Sequence, residues 1–301
     1  TTGSDTGAAF TGTAGNDTYV ADVKMAADGV TLVDTLQGID NLNGGAGTDT
    51  LNATLNTAGL VTPTLTSIEN VNVRVTTATG GVDLVAATGV TAVNVNNSTA
   101  AANVQNTGAA ALGVANQNTA VTFGGSTATA LTLNFDTVGT VATDIAVNIG
   151  TTVANKATSF VINAKDAHVT LAEAVAGVAT TSASVAATGA NEITFAAADL
   201  ATLATLTVTG AGSADFTGAA MTALKTLTAA DGGVKVDATG GVLETATTGA
   251  GKDTITAVGA TVKNITTGAG DDTVTAVTSA LAATSVVDLG AGNDTLTIAG
   301  A

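Results

Sequence analysis

Five short phrases place an aspartate two residues after a glycine and follow it with threonine and a large side chain: GTAGNDTYV, GGAGTDTLN, TGAGKDTIT, TGAGDDTVT and LGAGNDTLT. Their aspartates are Asp17, Asp49, Asp253, Asp272 and Asp294. The last three phrases start at Thr248, Thr267 and Leu289, separated by 19 and 22 residues. If each separation is one turn of a coil, these carboxylates stack along one edge. Neighbouring carboxylates about 5 Å apart repel by roughly 3 kcal/mol at an effective dielectric of 20. A hard divalent cation between coils reverses that sign, because carboxylates and glycine-turn carbonyls are the oxygen donors that Ca2+ accepts in flexible six- to eightfold geometry. The candidate Ca2+ set is therefore Gly15 with Asp17; Gly44, Gly45 and Gly47 with Asp49; and Gly249 and Gly251 with Asp253. Gly268 and Gly270 with Asp272, and Gly290 and Gly292 with Asp294, complete it. The competing reading makes the same aspartates plain turn formers that bond nearby backbone amides. Asp271 and Asn293 fall beside the candidate ligands and are assigned to turn geometry alone.

Such a site needs an element that returns the chain to the same edge every 20 residues or so. Internal copies supply it. FAAADLATLATLTV from Phe195 and FTGAAMTALKTLTA from Phe216 match with Phe195/Phe216, Leu200/Met221, Leu203/Leu224 and Leu206/Leu227 each 21 apart. An aliphatic residue at every third position recurs at Leu36, Ile39 and Leu42, at Leu65, Ile68 and Val71, and at Val262 and Ile265. That cadence suits a tight turn or a three-faced coil better than a long helix. Asn72, Asn94 and Asn116 lie 22 apart, and Asn96 and Asn118 repeat the step, as expected of an asparagine ladder on stacked coils. The predicted fold is an all-β parallel β-solenoid with coils of about 19–22 residues and a few short helical turns. Roughly 14 coils would result, stacked at the interstrand spacing of about 4.8 Å. The helical turns are expected in NEITFAAADLATLATL and between Asp166 and Ala179. One continuous domain divides into residues 1–56 with glycine-aspartate turns, 57–246 of Ala/Thr/Asn-rich coils, and 247–301 with the C-terminal turns.

Composition agrees and narrows the partners. Of 301 residues, 24 are acidic and 8 basic, a formal charge of -16 that repels nucleic acid and anionic membranes and attracts cations. Charged residues are only 11% of the chain, too few for a charge-driven disordered segment. Cysteine is absent, which removes disulfides and thiolate metal sites. Aromatic residues are 2%, so the core must be built from small aliphatic side chains. No run approaches the ~20 apolar residues of a membrane-spanning helix. A start at Thr1, without an initiator Met or secretion signal, reads as a fragment or processed product.

The five phrases resemble the G-G-x-G-x-D-x-U-x nonapeptide of RTX proteins, in which U is large and apolar. Gly44 to Asn52 fills every specified position. The three C-terminal copies carry Thr248, Thr267 and Leu289 in place of the first glycine, and the N-terminal copy has Thr13 in place of the second. Nor do the copies run in tandem every nine residues. The wider Ala/Thr/Asn/Val texture looks like RTX-type surface-layer proteins and giant surface proteins of Gram-negative bacteria. The resemblance implies type I secretion, Ca2+-triggered folding outside the cell, and self-association into a surface lattice or fibre. It also implies anchoring to a cell-surface polysaccharide through regions outside this sequence. An adhesin stalk is the alternative, monomeric where a lattice protein polymerises.

Two further classes receive less support. His168 is the single histidine, and no G-x-S-x-G elbow accompanies it, so a solvated or packed structural histidine is expected and not a catalytic one. Carboxylate pairs such as Asp199 with Glu192, or Glu173 with Asp166, could serve acid–base chemistry on a polysaccharide, as other parallel β-helices do. Few basic or aromatic residues are present to hold such a substrate, and the chain is read as a non-enzyme. Thr-rich strands such as Thr205–Thr209 raise the idea of an ice-binding array, but the Thr pairs fall at varied sequence registers.

Overall fold

The computed structural model describes residues 10–77, 79–150, 156–172, 178–195, 202–259 and 261–300. The chain is an all-β parallel β-solenoid of about 11 turns. Alternation builds each rung. In Thr50–Leu55 and Asn70–Val75 every second side chain is buried, so Leu51, Ala53, Leu55, Val71, Val73 and Val75 enter the core. Consecutive coils then pair parallel and in register: Leu51, Val71, Val93, Leu112, Leu133 and Ile162 form one column, none more than 1% exposed. Burying each such side chain contributes on the order of 1.5–3 kcal/mol, which a core of Val, Leu and Ala must collect rung by rung.

Two long faces run the length of the solenoid. The first includes Thr18–Ala21, Thr50–Leu55, Ala92–Asn96, Ala130–Val138 and Thr205–Thr209. The second includes Gly80–Asp83, Ile145–Ile149, Ala190–Phe195, Thr254–Ala257 and Thr295–Ala299. The 14-residue strand Ser159–Ala172 serves both, pairing with Ala130–Val138 through its first half and with Ile145–Ile149 through its second. A short third face, Asn41–Asn43, Thr64–Thr66 and Ala87–Thr88, closes the N-terminal coils. The three-residue cadence marks this closure: Leu65, Ile68 and Val71 are fully buried. Ile39 departs from it and is 54% exposed in the turn after Leu36.

The corner between the two long faces is a column of left-handed residues. Asn97, Asn116, Thr137, Asp166 and Gly189 have φ of 53°, 48°, 57°, 47° and 69°. Registers Asn96↔Ala115, Gln117↔Val138, Val138↔Ala167 and Lys165↔Thr188 put them one above another. Asn, Asp and Gly tolerate this conformation, whereas β-branched Thr137 does not.

Several sequence expectations change here. The coils vary in length, with hydrogen-bonded partners 19, 23, 29 or 32 residues apart, so about 11 turns replace the roughly 14 expected. The longest separation accommodates an antiparallel hairpin, Val23–Met25 with Leu32–Asp34, inserted in the first coil. The helical turns expected from Asp166 and from Asn191 are strand as far as Ala172 and Phe195; residues 173–177 and 196–201 lie outside the described residues. Thr278–Ala280 forms a short 3-10 turn.

The 21-residue repeat holds, with Leu206 paired to Leu227 and the Phe195 and Phe216 rings stacked at 6.0 Å. The asparagine ladder exists with a shifted register. Asn72 donates to Asn52 and Asn94 to Asn72, at 2.8 and 2.9 Å, but Asn94 then faces Gly113 and not Asn116. The row resumes at Asn134, which accepts from Asn163 at 2.7 Å. The Thr pairs, read as scattered, align as Thr205–Thr226–Thr245 and Thr207–Thr228–Thr247–Thr266 on one face. On the other face they align as Thr254–Thr273–Thr295 and Thr256–Thr275–Thr297. Unequal coil lengths disguise both ladders in the linear sequence.

Thr137 is exposed, and its hydroxyl makes only a bond to the adjacent Asp136 at 2.9 Å. Replacing it by asparagine keeps the corner and removes the β-branched clash, so Thr137→Asn should raise unfolding stability by roughly 0.5–1 kcal/mol in denaturant titration.

Candidate functional site

The glycine-aspartate phrases fold into two rows of carboxylates at different corners. The N-terminal row leads into the first face and the C-terminal row into the second. In the C-terminal row the Oδ1 atom of each aspartate accepts an amide of the preceding coil. Val234 N donates to Asp253 at 2.7 Å, Asp253 N to Asp272 at 2.9 Å, and Asp272 N to Asp294 at 3.0 Å. The N-terminal row follows the same rule, with Asp17 N donating to Asp49 Oδ1 at 2.7 Å. It continues one coil further than the phrases suggest, because Asp49 N donates to Glu69 Oε2 at 2.7 Å. Glu69 lies in SIENVNV, which lacks the glycines; its signal is the register of Asn70–Val75 on Thr50–Leu55.

This arrangement leaves a specific deficit. Asp49 and Asp253 are wholly buried and Asp272 is 1% exposed. Each spends Oδ1 on an amide, and each has an Oδ2 that is buried without a hydrogen-bond partner. Burial of a carboxylate oxygen without a partner costs several kcal/mol in general, which a cation or a proton relieves. Burial accordingly pushes the Asp253 carboxyl above its ordinary 3.8; the nearby Thr248 hydroxyl, whose single proton goes to the Thr267 carbonyl, and the Val234 amide pull the other way, and the Asp272 charge adds to the rise. Asp17 and Asp294, at the outer ends of the rows, are only partly buried. Asp17 Oδ2 is engaged by the Thr13 amide at 2.6 Å and hydroxyl at 3.0 Å.

The glycines divide by role. A Cβ on Gly44 would fall on Asp49 Oδ2 and on the Ser67 carbonyl, so the first glycine of the phrase makes room for the carboxylate itself. The C-terminal phrases put Thr248 and Thr267 there, whose hydroxyls bond the Thr267 and Leu289 carbonyls of the next coil at 3.0 and 2.9 Å. Gly45, Gly47, Gly268, Gly270, Gly290 and Gly292 hold positive φ. Gly249 and Gly251 press against Ala230 and Gly233 of the coil before, while a Cβ on Gly15 would make only an ordinary contact, 3.8 Å, with the Thr13 hydroxyl. The Gly249 and Gly268 carbonyls accept the Ala269 and Ala291 amides of the next coil. Asp271 Oδ1 accepts the Asn293 amide at 2.9 Å, a turn-shaping contact as expected.

The asparagine ladder lines a separate open groove of about 850 Å3 on the first face. Arg74, Asp136 and Lys165 flank it, and Asp136 bonds Lys165 at 3.1 Å. The sequence gives no hint of a cleft, because ladder and groove both depend on the shifted register. Of the acid–base pairs considered, Asp199 and Glu173 lie outside the described residues. Glu192 stands instead beside His168, with Oε2 3.6 Å from Nδ1. No protein-family model, curated protein or solved structure matches this chain.

The Asp253 shift gives an unusual pH signature. A raised folded-state pKa means that ionisation disfavours the folded chain; this loss is absent below the ordinary 3.8 and develops as pH climbs through the window above it. In chelator, Asp253→Asn should therefore gain melting temperature relative to wild type as pH rises from about 3 to about 7. A constant difference across that range would contradict it.

Proposed function

We propose that the chain is a calcium-stabilised structural segment of a secreted bacterial surface protein, self-assembling into a surface layer. The observation that carries this reading is the set of buried, unpartnered Oδ2 atoms on Asp49, Asp253 and Asp272, held in rows that cross coil boundaries. The donor set fits Ca2+: carboxylate oxygens on glycine turns, with no sulfur or imidazole in any of the five phrases. When bound, the ion supplies positive charge between carboxylates that otherwise repel. The residues do the rest. Asp253, Asp272 and Asp294 span three coils and tie each to the amide of the one before.

The reading links folding to location. An ion that binds the folded rows and not the unfolded chain stabilises by mass action, so the coils close where calcium is plentiful and stay open where it is scarce. Type I secretion and an extracellular surface position follow from the RTX resemblance. The formal charge of -16 and the continuous parallel ladder support a cation-dependent repeat rod without a nucleic-acid partner. An adhesin stalk uses the same clamps without lattice contacts.

Two measurements test this. Circular dichroism with light scattering during a Ca2+ titration from chelator should show β-signal and particle size rising together. A rise in β-signal alone would favour the stalk, and no response would sink the calcium assignment. Tyr19 offers a local readout, as the single tyrosine. Its phenol is pushed above 10.0, first by burial and then by the charges of Asp17 and Asp49. Ca2+ at the N-terminal row should therefore lower the pH at which its phenolate absorbance appears, and Asp49→Asn should abolish that response.

A further inference from the structure

A second cation site of different chemistry lies in the middle of the solenoid. The registers Ile145↔Val169 and His168↔Glu192 place Asp144, His168 and Glu192 at one position on three successive coils, each 24 residues from the next. One ligand atom from each lies within 4.8 Å of the others. His168 is 8% exposed, although it stands on the outward side of its strand between core-facing Ala167 and Val169. Its Nδ1 is buried and makes no hydrogen bond; Glu192 Oε2 lies 3.6 Å away. Asp144 Oδ2 receives only a long contact from the Thr170 hydroxyl, 3.4 Å.

The surroundings hold the histidine in this position. The tight turn after the face-one strand is closed by reciprocal Thr140–Thr143 backbone bonds of 3.0 and 2.8 Å and delivers Asp144. Gly139, at φ 69°, packs so closely on His168 that a Cβ there would meet the His168 backbone carbonyl. Just past the corner, Ala167 N donates to the buried Asn191 side chain at 3.1 Å. Further along the column stands Asp215, facing Glu192, and it already has a cation: Lys235 Nζ is 2.7 Å from its Oδ2. Asp144 and Glu192 have no such lysine or arginine contact among the described residues.

We propose that Asp144, His168 and Glu192 form a binding site for a divalent transition-metal ion of the Zn2+ class, bridging three coils. Imidazole nitrogen directs the choice away from Ca2+, which takes oxygen donors, and toward Zn2+. Metal–ligand bonds of about 2.0–2.2 Å require donors closer than the 4.8 Å limit seen here, a contraction that rotation of the two partly exposed carboxylates provides. Three protein ligands leave a coordination position for water. The site is independent of the aspartate rows, shares no residue with them, and would staple the coils that those rows do not reach.

Co2+ is the probe. In buffer that keeps Ca2+ saturating, Co2+ added to the chain stripped of transition metals should produce visible d–d absorption that saturates at one equivalent and is lost when Zn2+ displaces it. His168→Asn should weaken Co2+ binding by roughly 100-fold or more, and the double variant D144N/E192Q should do the same while retaining the imidazole. Circular dichroism of each variant establishes that it is folded. Absence of the bands in wild type, or their persistence in both folded variants, would overturn the site. Because Ca2+ is present throughout, failure of the calcium reading leaves this result unaffected.

Discussion

A parallel strand in this molecule satisfies its backbone only by pairing with the coil on either side, and that requirement fixes everything else. Once Leu51 lies over Val71 and Val71 over Val93, every outward residue is forced over its counterpart as well. The core can be made of small aliphatics because each rung adds only one layer to a column that is already continuous. Like residues then meet like. Asn meets Asn, Thr meets Thr and Asp meets Asp over runs of neighbouring coils, and within such a run the chemistry is that of a single side chain repeated at the interstrand spacing of about 4.8 Å.

Such repetition is favourable for amides and costly for carboxylates. An asparagine both donates and accepts, so Asn52, Asn72 and Asn94 bond one another directly. An ionised aspartate only accepts. Asp253, Asp272 and Asp294 answer by turning Oδ1 to the amide of the neighbouring coil, which leaves Oδ2 as the atom that protein alone does not satisfy. The second-face column shows three answers to the same problem. Asp215 takes Lys235, threonines replace acids from Thr254 onward, and Asp144 with Glu192 flank the one histidine.

The fold was legible because alternation and the 21-residue copy around Phe195 and Phe216 are local and direct signals. The stacking of Asp253, Asp272 and Asp294 was legible for the same reason, since their phrases are nearly identical. What escaped was phase. A fixed 22-residue step sends Asn94 to Asn116, while the true step from Ala92–Asn96 to Ala111–Gln117 is shorter and sends it to Gly113. Steps of 24 residues likewise hid the meeting of Asp144, His168 and Glu192, which have no motif in common. Glu69 escaped because it continues a row of aspartates without any of their glycines. At Asp166–Ala172 and Asn191–Phe195 the described residues are strand, because pairing on both sides outweighs intrinsic helix preference at a central rung.

Each rung bonds only to the rung before and the rung after, and the two aspartate rows sit in the first and last coils. Under tension along its axis, such a rod carries load in series through its coil interfaces. An interface crossed by an aspartate row and one held by strand pairing alone therefore meet the same force, and the weaker of the two sets the load at which the rod parts.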